Sequence, residues 1–187
     1  MYIDITEVLV ENPIIAAIRN EDELKIALEK NSKVVFVLKC SILDVKDICL
    51  RLKKEDKLVF VHLDMVEGLK GDAFGIEYIK QCQVDGIIST RVHCIKQANK
   101  SGLMTIQRIF IIDSQSLKTG IQGIIEAKPT AIEVMPGVAS RIIEQISKAT
   151  HVPVIAGGLI KEKIEVMEGL AAWAIAVSTT AQSLWNL

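Results

Sequence analysis

The chain has 187 residues, half of them hydrophobic, with 22 basic and 23 acidic side chains and a formal net charge of -1. That length carries one domain with a sizeable core. The near-neutral balance excludes a protein that holds polyanions by global charge, so any nucleic-acid surface has to be a local patch.

Cys40, Cys49, Cys82 and Cys94 show no CxxC spacing and read as thiols acting as small core hydrophobes. The longest unbroken apolar run, residues 170–177, falls far short of the ~20 residues that a bilayer requires. The first residues lack the basic flank of a signal peptide. The expectation is a soluble, cytoplasmic protein with no membrane partner.

In chain order, residues 6–11 form a short amphipathic helix stopped by Asn12 and Pro13, because proline disfavours helix at the residue before it. Apolar, strand-like runs follow at 14–18, 34–38, 58–63, 86–89, 103–109, 131–135, 152–156 and 174–177. Helical patterns lie between them at 21–29, 44–53, 72–81, 93–100, 114–127, 139–149 and 161–169, with a last one at 180–185. Continuous apolar strands separated by helices imply a parallel sheet covered on both faces. Eight alternations imply a compact single-domain (β/α)8 TIM-type barrel over 1–187 with a short N-terminal helix. An open doubly wound sheet is the alternative.

Strand parity suggests where chemistry sits, since alternate residues face the barrel interior. In 58–64, Val59, Val61 and Leu63 suit the helix layer, which turns Phe60, His62 and Asp64 inward. The same reasoning places Arg19 after Ala17, Lys39 after Val37, Gln107 after Thr105, Glu133 after Ala131 and Ser178 after Ala176. Five strands thus bring Arg19, Lys39, Asp64, Gln107 and Glu133 to one mouth. Charges there are costly unless paired or used, so the cluster is either a barrel plug or a binding site. His62 and Asp64 alone make no metal site, and no nucleophile triad, GxGxxG or GxxxxGK occurs.

The stretch 151–160 is an apolar run that stops at Gly157 and Gly158 before a helical pattern resumes. Small residues recur after the next strand, at Ser178 and Thr179. Paired glycine-rich and hydroxyl-rich loops after strands seven and eight are a common phosphate site in barrels. Gly157, Gly158, Ser178 and Thr179 are therefore expected to hold an anion through backbone N–H groups.

Several phrases together resemble a known family. They are Ala-Ala-Ile-Arg-Asn (16–20), Val-His-Leu-Asp (61–64), Glu-Gly-Leu-Lys (67–70), Ile-Ser-Thr-Arg (88–91), Ile-Gln-Arg-Ile-Phe (106–110), Ile-Glu-Val-Met-Pro-Gly (132–137), Ala-Gly-Gly (156–158) and Leu-Trp (184–185). The combination is similar to bacterial glycerol-uptake operon antiterminator regulatory proteins. The resemblance implies a barrel with no enzymatic activity and no cofactor, which senses glycerol 3-phosphate and binds leader mRNA to prevent termination. Trp173, where the family pattern has a glycine, and the Thr-Thr-Ala-Gln after Ser178 depart from it. Asp64 and Glu133 are assigned to the ligand's hydroxyls, with Arg19, Lys39 and Gln107 balancing them. Arg91 and Arg108 are candidates for RNA contact or for internal salt bridges, and a homo-oligomer is one way to assemble an RNA surface. Two other classes stay open: a small barrel enzyme acting on a polyol or sugar phosphate, and a metabolite-binding protein that signals through another protein.

Overall fold

The computed structural model describes residues 4–187; the first three residues of the expected 1–187 unit lie outside the described residues. Eight parallel strands close into a barrel in consecutive order: β1 (Ile14–Ile18), β2 (Val34–Val37), β3 (Leu58–His62), β4 (Gly86–Ser89), β5 (Met104–Phe110), β6 (Ala131–Met135), β7 (Val154–Gly157) and β8 (Ala176–Thr179). The barrel closes where Ile14 to Ala16 of β1 pair with Val177 to Thr179 of β8. A further two-residue pairing, Cys40–Ser41 with Val66–Glu67, ties together the loops after β2 and β3.

Helix α1 (Ile5–Glu11) precedes the barrel, capped by the Asp4 side chain. Helices α2 (Glu21–Glu29), α3 (Val45–Lys54), α4 (Ala73–Gln81), α5 (Val92–Lys100), α6 (Ser114–Ala127), α7 (Ser140–Thr150) and α8 (Lys163–Ala171) form the outer layer. Strands β7 and β8 begin two residues later than expected, at Val154 and Ala176, and two helices differ for a visible reason. Helix α8 starts at Lys163 and not at Lys161, because the Glu165 carboxylate takes the N–H groups of Lys161 and Glu162 at 2.7 and 2.9 Å and ends the loop there. The expected last helix over 180–185 is one 3-10 turn, Gln182–Leu184. Trp185 lies buried behind it and donates its indole N–H to the Thr179 carbonyl.

Side-chain alternation divides the core in two. An inner cluster contains Ile15, Ala17, Phe36, Phe60, Ile88, Ile106, Ala131, Ile155 and Ala176, with Phe36 and Phe60 packed edge to face at 5.9 Å. Ile5 and Leu9 of α1 belong to this same inner cluster, so the first helix closes one end of the barrel. The larger outer cluster lies between strands and helices. No helix among the described residues is long and apolar enough to cross a membrane. Trp173, in the turn between α8 and β8, holds a left-handed backbone at φ +74° while 63% exposed. A glycine would take that conformation without strain.

Candidate functional site

Parity is confirmed on β1, β3, β6 and β8, where Ala17, Phe60, Ala131 and Ala176 belong to the inner cluster. It fails on β2 and β5. On β2 the inward residues are Phe36 and Leu38, and Val37 faces the helices. Lys39 therefore turns outward and pairs with Glu67 at 3.2 Å on an exposed lip. An uninterrupted Val-Val-Phe-Val-Leu run carries no alternation to read. On β5 the inward residues are Ile106 and Arg108. Thr105 points to the helix layer, where its hydroxyl donates to Asn99 at 2.7 Å and accepts from the Thr130 N–H. Gln107 follows it outward to lie beneath Gly123 of α6, with its carbonyl oxygen buried and unpartnered.

Asp64 stands at the mouth, in a 3-10 turn directly after β3. Its carboxylate accepts from the Ser89 hydroxyl, from the N–H and hydroxyl of Thr90, and from Nε and Nη2 of Arg91, all within 2.7–3.0 Å. Burial pushes this carboxyl up, but the hydrogen bonds from Thr90, Ser89 and Arg91 outweigh it and hold it below its ordinary value. Asp64 thus fixes the loop between β4 and α5. Arg19 folds back on Glu23, bonding it through both backbone N–H and guanidinium. It borders a groove of about 570 Å³ between α2 and α3, shared with Lys39, Leu43 and Asp44.

The remaining candidates converge elsewhere. Between the ends of β6, β7 and β8 lies a cavity of about 200 Å³, bordered by Arg108, Glu133, Gly158, Ile160, Ser178 and Thr180. Its floor is a buried ion pair, Arg108 Nε to Glu133 at 2.6 Å, with side chains 8% and 1% exposed. The register sets Arg108 directly beside Glu133 on the neighbouring strand. The Ser178 hydroxyl donates to the other Glu133 oxygen. Gly157 makes room for that bond, since a Cβ there would meet Glu133 Oε1 at 2.5 Å and Ser178 Oγ at 2.8 Å. Among the described residues Arg108 donates only through Nε, which leaves its two terminal nitrogens for the cavity.

The cavity wall is backbone. Gly158 and Leu159 both hold positive φ, at +78° and +64°, a conformation that glycine takes freely and leucine only at a cost. Among the described residues, the N–H groups of Gly158, Leu159, Ile160 and Thr180 have no acceptor. The loops that carry them are pinned. Gly137 N–H donates to the Gly158 carbonyl at 3.2 Å, and the Thr179 hydroxyl donates to the Ile160 carbonyl at 2.7 Å while accepting from Ala181 N–H. At the N-terminus of α8 the Glu165 carboxylate accepts from the N–H groups of Lys161 and Glu162.

The structure therefore gathers Glu133, Gly158, Ser178 and Thr179 around one cavity, sets Gly157 behind Glu133 and Ser178, and leaves Arg19, Lys39, Asp64 and Gln107 outside it. Arg108 is the residue that parity passed over. The signal available was its spacing from Ile106 and its pairing potential with Glu133. His62, on β3, is 6% exposed; neither ring nitrogen has a hydrogen-bond partner, and Nε2 stands 3.9 Å from the Asp64 carboxylate. Burial and then the Arg108 charge lower its pKa to about 4, so the ring is neutral near pH 7. Among the described residues, no group of three or more His, Cys, Asp or Glu side chains could hold a metal ion.

Comparison with known proteins gives this architecture its family. A solved glycerol uptake operon antiterminator regulatory protein from Listeria monocytogenes is 34% identical, covers 92% of this chain and 94% of its own, and superposes with a TM-score of 0.89. A glycerol uptake operon antiterminator-related protein from Thermotoga maritima is 33% identical over 94% of this chain and 99% of its own, with a TM-score of 0.84. YgcP of Escherichia coli, an uncharacterized protein, is 30% identical over 95% of this chain and 93% of its own length. The model of one family, the glycerol-3-phosphate responsive antiterminators, matches residues 14–185. The chain belongs to the glycerol-3-phosphate responsive antiterminator family.

Proposed function

We propose that this protein is a cytoplasmic regulator that takes glycerol 3-phosphate into the cavity between β6, β7 and β8 and, so loaded, binds leader mRNA to promote antitermination of glycerol-uptake genes. The observation that carries the ligand reading is the set of four N–H groups without an acceptor, at Gly158, Leu159, Ile160 and Thr180, all on residues that border one small cavity. A phosphate satisfies such donors without a carboxylate competing for them. The terminal nitrogens of Arg108 and the Ser178 oxygen then meet the polyol hydroxyls. A site built on those contacts discriminates against bare phosphate, because its polar groups stay unpaired without the hydroxyls.

Regulation without turnover fits the floor better than catalysis does. Glu133 is committed at both oxygens, to Arg108 and to Ser178. A general acid or base needs a free proton site within reach of substrate. RNA binding rests on the family, and with a net charge of -1 it depends on a local patch or on joined protomers.

The test is calorimetric titration of glycerol 3-phosphate into the parent and Gly158→Val. A Cβ at Gly158 would lie 2.7 Å from Met135 Cε on a left-handed backbone, so the loop must rearrange. Affinity should fall at least about tenfold while unfolding stays cooperative. Undiminished affinity refutes the cavity assignment. Leader RNA retention measured with and without the metabolite tests the second half, and by linkage RNA should tighten metabolite binding by the same factor.

A further inference from the structure

The chain has four phenylalanines, and they divide evenly. Phe36 and Phe60 pack together inside the barrel, whereas Phe74 is 87% exposed and Phe110 54% exposed. Both exposed rings stand at the mouth, Phe74 in the first turn of α4 after β3 and Phe110 at the last residue of β5. Between them runs the loop from β4 to α5, carrying Arg91 with 42% of its side chain exposed. Arg91 lies against the entry to α4, since a Cβ at Gly71 would meet its Nη2 at 2.6 Å. An exposed aromatic ring offers a flat apolar face to a partner.

Charge indicates what covers them. Residues 86–112 contain no aspartate or glutamate, and of their cations Arg91, Lys96 and Lys100 lie on the outside while Arg108 is buried against Glu133. Lys70 is exposed just before α4, and His93, Lys96 and Lys100 follow Arg91 along a shallow groove on α5. Glu126 reaches Lys96 at 3.1 Å, with both side chains about half exposed, a pairing that yields readily to a stronger anion. Flat aromatic faces set among cations, with the phosphate cup on the same mouth, match unpaired nucleotides: bases stack on the rings and phosphates meet the cations.

We infer that Phe74 and Phe110, flanking Arg91, form a base-stacking platform for single-stranded RNA on the β3–β5 side of the barrel mouth. This rests on the RNA half of the proposed function and adds the surface and the kind of RNA it takes: an unpaired loop and not a duplex. Neither ring borders the metabolite cavity, so the platform and the cup can be separated by mutation.

The experiment uses the full chain saturated with glycerol 3-phosphate and the labelled transcript leader of the glycerol-uptake genes, as a single strand and annealed to its complement. Phe74→Ala and Phe110→Ala should each weaken single-strand binding between about fivefold and a hundredfold, with Phe74→Tyr close to the parent and metabolite affinity unchanged in all three. The annealed duplex should bind more weakly than the single strand. Parent-like RNA affinity in both alanine variants overturns the platform and leaves the proposed function standing. A parent chain that retains no RNA at any salt or metabolite concentration overturns the proposed function, and the platform with it. If the alanine variants instead dissociate a parent oligomer and RNA loss only follows assembly, the rings make a protein contact and the inference is wrong.

Discussion

The two sides of the barrel mouth are built on opposite plans. On the side of β2, β3 and β4, charged side chains satisfy one another: Lys39 meets Glu67, and Arg91 with its neighbours saturates Asp64. On the side of β6, β7 and β8 the wall is unpartnered backbone N–H over a single buried ion pair. The first side spends its charges on holding loops in place. The second keeps its donors free. The two sides therefore differ in what they leave unpaired: side-chain charges are met on the first, and backbone donors are left without acceptors on the second.

The sharpest way to break this contrast is to remove Glu133. Glu133→Ala leaves Arg108 buried with no counter-charge, and stability should fall by ~3–5 kcal/mol in denaturant unfolding. A loss no larger than that of an exposed pair would mean that the floor relaxes into solvent. Next in size is a pH effect from His62. Its pKa is lowered to about 4 in the fold, against ~6.5 in an unfolded chain. The folded pKa is the lower one, so the contribution is whole above pH ~6.5 and is lost as pH falls toward 4, by up to ~3 kcal/mol. His62→Gln should flatten the unfolding midpoint over that window. An identical slope in both proteins would assign the acid sensitivity to the carboxylates.

Asp64→Asn tests the other side. It loosens the loop from β4 to α5 and should cost ~1–3 kcal/mol, yet change glycerol 3-phosphate affinity by less than about threefold. A loss of affinity as large as that of Gly158→Val would erase the distinction between the two sides. The smallest effect compares two left-handed side chains. Trp173, remote from the cup, should gain ~1 kcal/mol on replacement by glycine. Leu159→Gly relieves similar strain but also loosens the cup, so its stability should rise while its affinity drops. Equal affinity in Leu159→Gly would show that the cup does not depend on that residue's rigidity.

The alternation of apolar runs and helical patterns made the barrel legible, because strands buried on both faces and amphipathic helices differ in period. Inward parity was legible where small or polar residues break the apolar run, as in Ala131 to Glu133 and Ala176 to Ser178. It was not legible on β2, which is apolar throughout, or on β5, where both faces carry polar groups. Thr105 is satisfied by Asn99 and Thr130 in the helix layer, contacts between residues 6 and 25 positions apart that no local pattern announces. Arg108 was passed over for that reason. The glycine loop after β7 was legible as a turn with free backbone N–H groups, but the closure of the following helix start by Glu165 was not.

Helix α1 lies outside the stretch 14–185 that the family model matches, yet Ile5 and Leu9 sit among the innermost barrel residues. It works as a stopper fitted from below. Without it, water would reach Ile15, Phe36 and Phe60 from the end opposite the cup, and the interior beneath Arg108 and Glu133 would become wet. Strengthened by a dry interior, that ion pair holds the cup's floor in one position. A turn of helix far from the mouth therefore helps set how rigid the floor of the mouth is.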